Sequence, residues 1–138
     1  MKRLALTNLS GLGTVFVVNG AALGVMGTFT AGDVAAFAMG SIVASLVGLR
    51  IWSRPDMSSR SSRWWLLVAV SATLVGALLF WLDIRFGYIV LPIGPDEGAV
   101  GTIRNPLAVM MSAAFLPLFA SVAIGSAVRA TLMQGNVA

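Results

Sequence analysis

The sequence predicts an all-α protein: a polytopic transmembrane four-helix bundle, a single domain over residues 1–138, with both termini on the cytoplasmic side. Three observations lead there. First, hydrophobic residues make up 58% of the chain and charged residues only 10%, with a mean hydropathy of +0.93. Soluble domains carry roughly a quarter charged residues, so this set could not cover a surface facing water. Second, the apolar residues gather into four runs. Each is near the ~20 residues that a helix rising ~1.5 Å per residue needs to cross a ~30 Å hydrocarbon layer. Third, the basic residues fall at the ends of those runs, mostly on one side.

The first run covers residues 4–29. Lys2 and Arg3 precede it, Asn8, Thr14 and Asn19 interrupt it, and glycine is frequent in it. Its opening resembles the start of a signal peptide, but the two asparagines break the apolar stretch, so it reads as a span. A short link, residues 28–33, joins it to the second run at 34–52, and a link this short implies an antiparallel hairpin. Asp33 is placed to cap the second helix, and Arg50 and Trp52 close it. Residues 53–63, SRPDMSSRSSR, form a solvated loop.

The third run, 64–82, opens on Trp64 and Trp65 and nears its end at Trp81. Along a helix those positions lie ~25 Å apart, the separation of two interfacial aromatic belts. Residues 83–105 mix charges with the apolar stretch FGYIVLPIGP. That stretch is too short to cross and is broken by Pro92 and Pro95, so it reads as interfacial. The fourth run covers 106–128. Asn105-Pro106 is a favourable helix start, Pro117 predicts a kink, and Arg129 ends the run.

Alternating the connections between two sides gives the orientation. One side carries Lys2, Arg3, Arg50, Arg54, Arg60, Arg63 and Arg129; the other carries Arg85 and Arg104. Seven against two places the termini in the cytoplasm, with the cell (inner) membrane as the location.

Lipid tails are as apolar as leucine, so membrane helices associate where small residues let backbones approach. The second run repeats small residues every four positions, at Ala36, Gly40, Ala44 and Gly48; the first run has Gly20 and Gly24, the third Ala72 and Gly76, and the fourth Ser121 and Gly125. These are the expected helix-packing positions. Asn19, the most interior polar side chain, needs a partner in hydrocarbon. Asn19, with Asp83, Arg85 and Arg104 at the far end, could serve a polar pathway or a partner contact. The interior serines and threonines, among them Ser41, Ser45, Thr73 and Ser121, can each bond a carbonyl of their own helix.

Catalytic chemistry finds little support. The chain has no His and no Cys, which removes thiolate or imidazole metal sites, Cys nucleophiles and His general acid–base work. Its one lysine is Lys2, so a Ser–Lys dyad in a span has no base. No glycine-rich phosphate loop ends in lysine. The net charge of +4 belongs to topology signals and not to a basic face interleaved with aromatics, so nucleic acid is not an expected partner. The expectation is no enzyme, no cofactor and no metal. The chain reads as a non-catalytic accessory, assembly or effector subunit of a membrane oligomer or complex. Its partners would be the lipid bilayer and further copies or other membrane-protein subunits. The alternative is a small oligomeric transporter, channel or lipid-handling protein.

Overall fold

The computed structural model describes residues 2–25, 31–90, 102–105 and 115–135. It is helical throughout, apart from one two-residue antiparallel pairing. Helix α1 spans Lys2–Val25, α2 Ala31–Trp52, a single turn α3 Pro55–Ser58, and α4 Ser62–Arg85. Segments β1 (Ile89–Val90) and β2 (Thr102–Ile103) pair next, with Ile89 opposite Ile103. A π-helical segment, Phe115–Ala120, then leads into α5, Ser121–Gln134. Among the described residues, three stretches are long and apolar enough to cross a membrane: Leu4–Ala22, Val34–Trp52 and Ser62–Arg85. Leu118–Gln134 is a shorter apolar helix.

The core sits along α5. This helix packs against α1, α4 and α2, and Ser121, Val122, Ala123, Gly125, Ser126, Ala127, Arg129 and Ala130 are all buried. Its sequence explains the position. Serine, alanine and glycine leave almost no side-chain volume, so three neighbours can close on it. On one flank Trp65 and Ala69 of α4 pack on Ala123, Ala127 and Ala130. On the other, Val15 of α1 and Ala44 of α2 meet Val122. The outward faces of α1, α2 and α4 are lined with exposed Leu, Val, Met and Phe, such as Leu6, Met39, Leu67 and Phe80.

The loop at 53–63 is ordered by its own hydroxyls. Ser53 donates to the Arg50 carbonyl, and Ser58 and Ser59 donate to those of Pro55 and Asp56. Ser61 caps α4 by accepting the Trp64 N–H. The far end of α4 closes as a complete Schellman motif. The Tyr88 N–H reaches the Asp83 carbonyl at 2.8 Å and the Gly87 N–H reaches that of Ile84 at 3.0 Å. Gly87 adopts φ +71°, a left-handed conformation that a Cβ disfavours. Gly87→Val should therefore destabilise the fold by roughly 1–2 kcal/mol, read as a lower thermal midpoint in detergent. An unchanged midpoint would remove Gly87 from the cap's energetics.

Several expectations need correction. The second helix begins at Ala31, so Asp33 lies inside its first turn and is not the residue before it. The third span is longer than 64–82, because Ser61 caps it early and the Schellman turn closes it late. Trp65 and Trp52 are buried against the bundle, where the small residues of α5 leave room for them. The fourth helix does not stop at Val128 but continues to Gln134, and Pro117 falls in a π-helical segment. There the wider turn accommodates the missing N–H. The Asn105-Pro106 start, the first part of the fourth run, the 26–30 link and residues 91–101 with Pro92 and Pro95 lie outside the described residues.

Candidate functional site

Among the described residues, interior polar side chains form two groups between helices, apart from the buried Asp83 at the far end of α4. The first lies where α1, α2 and α5 cross. Gly11 and Gly125 bring the α1 and α5 backbones together. A Cβ built on Gly125 would stand 2.7 Å from the Gly11 carbonyl oxygen, and one on Gly11 would stand 2.6 Å from the Trp52 ring. One turn along from Gly125, Arg129 is only 4% exposed. Its Nε donates to Asn8 Oδ1 at 2.7 Å, and its guanidinium lies 5.6 Å from the centre of the Trp52 ring. The Trp52 Nε1 donates to Ser126 Oγ at 2.7 Å, and Ser126 passes its own proton to the Val122 carbonyl. Among the described residues no carboxylate pairs with Arg129. Its charge is met by an amide oxygen and the negative face of an indole.

This arrangement follows from the sequence locally. Asn8 and Gly11 lie three apart in α1 and so share a face. Gly125 and Arg129 lie four apart in α5, and Trp52 ends α2 at the same level. A long-stemmed cation and an indole tie three helices by directional bonds where burial of apolar surface gives little orientation.

The second place lies between α1 and α2. Asn19, 2% exposed, donates from Nδ2 to Ser41 Oγ at 3.2 Å. Among the described residues, Asn19 Oδ1 and the buried Ser45 Oγ have no hydrogen-bond partner. Ser45 thus does not bond a carbonyl of its own helix, whereas Thr73 and Ser121 do.

The anticipated packing residues divide. Ala44 and Gly48 are buried, and a Cβ on Gly48 would meet the Trp52 ring at 3.4 Å. Ala36 and Gly24 are exposed. A Cβ on Gly40 or Gly24 would meet nothing within 4 Å, and one on Gly20 would rest against Phe37 at 3.6 Å. Among the described glycines the closest approach to another backbone is Gly11–Gly125: Gly125 belongs to the anticipated Ser121–Gly125 pair, whereas Gly11 lies outside every anticipated one. At the far end Asp83 is buried while Arg85 and Arg104 are exposed, and the Arg104 backbone N–H donates to the Tyr88 carbonyl. Asn19 stands apart from these three, on α1 against α2.

Arg129 is the residue that sequence reasoning missed. Standing at the end of an apolar run, it looked like a topology charge; the paired polar residue Asn8 on another helix was the available signal. Among the described residues no group of three or more acidic side chains could hold a metal ion. Comparison with family models, curated proteins and solved structures yields no match for this chain.

Proposed function

We propose that this chain is a non-catalytic membrane component, an accessory, assembly or effector subunit that works by helix packing within an oligomer or a larger complex in the cell (inner) membrane. The observation that carries this reading is the division of labour among the helices. α5 is enclosed by α1, α2 and α4, with the interior polar groups at their crossing bonded to each other, while the outer faces carry exposed apolar side chains. Such faces suit lipid or neighbouring helices. In this reading the bundle crosses four times with both ends cytoplasmic. Even with Arg129 set aside as an interior residue, Lys2, Arg3, Arg50, Arg54, Arg60 and Arg63 outnumber Arg85 and Arg104 on the opposite side, and the bias still points inward.

The open half of the α2 stripe, Ala36 and Gly40, is the face this reading assigns to a neighbouring helix. A Cβ at Gly40 meets no described atom within 4 Å, so Gly40→Leu should fold, yet reduce the size of the particle released by mild detergent. A wild-type particle that is strictly monomeric and carries no other protein would overturn the assembly reading. An unchanged particle in Gly40→Leu would move the contact to another face.

One observation favours a second reading, a small oligomeric transporter, channel or lipid-handling protein. Asn19 Oδ1 and Ser45 Oγ are buried polar atoms without partners among the described residues, as the wall of a polar path would provide. Ion or lipid flux across reconstituted vesicles, abolished in Asn19→Leu, would establish it. No flux under any gradient would remove it.

A further inference from the structure

Arg50 and Arg54 line one open groove of about 430 Å³ with Leu46, Val47 and Ile51 of α2 and Met57 of α3, a volume within the ~300–1,000 Å³ typical of small-molecule sites. Its two ends differ. Leu46 and Val47 are exposed apolar side chains that continue the outer face of α2. Ile51 and Met57 are half-buried and anchored on the core, giving the groove a fixed floor. The two arginines stand where α2 ends and the polar turn begins. Neither guanidinium has a hydrogen bond or ion pair among the described residues. Asp56, the only acid between positions 34 and 82, is exposed and pairs with neither.

We propose that this groove binds an anionic phospholipid of the surrounding bilayer. The phosphate is held between Arg50 and Arg54, and an acyl chain lies along Leu46 and Val47. The charge complementarity comes from two unspent guanidiniums, which present parallel donors to phosphate oxygens. The apolar floor running up α2 selects a lipid over a free phosphate, which would leave that surface uncovered. The inference rests on α2 crossing the bilayer with this end at the headgroup level, as proposed above.

Native mass spectrometry of the full chain released from detergent tests it, with phosphatidylglycerol and phosphatidylcholine supplied as competing lipids. Wild type should retain phosphatidylglycerol preferentially. Arg50→Gln/Arg54→Gln should lose roughly tenfold or more of that preference. Arg60→Gln/Arg63→Gln removes the same two charges from the neighbouring loop and should retain the preference. Equal retention of both lipids by wild type would overturn the proposal, as would equal loss in the two double variants. Displacement by soluble glycerol 3-phosphate at millimolar concentration would also overturn it, by making the ligand a free phosphate. Whether the protein needs detergent at all is read in the same preparation, so failure of the membrane placement and failure of the lipid site give different results.

Discussion

Gly125→Ala should destabilise the bundle by about 2 kcal/mol, within the ~1–3 kcal/mol typical of overpacking. The new methyl group would stand 2.7 Å from the Gly11 carbonyl oxygen and 3.1 Å from Val15 Cγ2. The first of these is backbone and cannot rotate aside, so α1 and α5 must separate. The opposing effect is helix propensity, which favours alanine over glycine by only ~1 kcal/mol. The separation also lengthens the Arg129–Asn8 bond one turn away. Gly13→Ala is the control: nothing lies within 4 Å of that position, so only the propensity gain remains and stability should hold or rise. Thermal midpoints in detergent read both. A Gly125→Ala protein melting at or above wild type would show that the close crossing contributes no stability.

Arg129→Ala should cost about 3 kcal/mol, the sum of a charge-assisted hydrogen bond, a cation–π contact and lost packing of the stem. Relief of the buried charge opposes this. It does not win here, because removing the guanidinium also takes the partner from the half-buried Asn8 Oδ1. The decisive measurement is therefore a cycle. Asn8→Leu and Arg129→Met should each destabilise alone, and their combination should be less destabilised than the sum by roughly 1 kcal/mol or more. Strict additivity would mean that the 2.7 Å contact carries no coupling. Arg129→Lys should recover only part of the loss, since an ammonium keeps the charge but lacks the planar face that lies on Trp52.

Much of the helix content was legible in the sequence for one physical reason: hydrocarbon demands long uninterrupted apolar helices, and such helices announce themselves in composition. The three long runs correspond to α1, α2 and α4. Helix ends were less legible, because they depend on single hydrogen bonds, such as Ser61 to the Trp64 N–H and the Gly87 turn. Pairing between helices was the least legible. Ala36, Gly40, Ala44 and Gly48 form a regular stripe, but regularity along one helix does not say which part faces a neighbour. The approach of Gly11 to Gly125 joins residues more than a hundred positions apart, and neither belongs to a repeating pattern that crosses both helices. Arg129 misleads for a related reason. A cation at the end of an apolar run has the same local signature whether it reaches water or turns inward, and only the position of Asn8 and Trp52 in space decides.

The central place of α5 also fixes the order in which the bundle can be completed during synthesis. α1, α2 and α4 leave the ribosome before the helix they surround exists, and nascent Asn8 and Trp52 have no Arg129 or Ser126 to meet. α5 itself, with its serines, glycine and arginine, is a weak candidate for entering lipid unaided. If α5 enters the bilayer, the three earlier helices standing side by side would offer it a polar and small-residue slot. The helix that locks α1, α2 and α4 together is therefore made after all three.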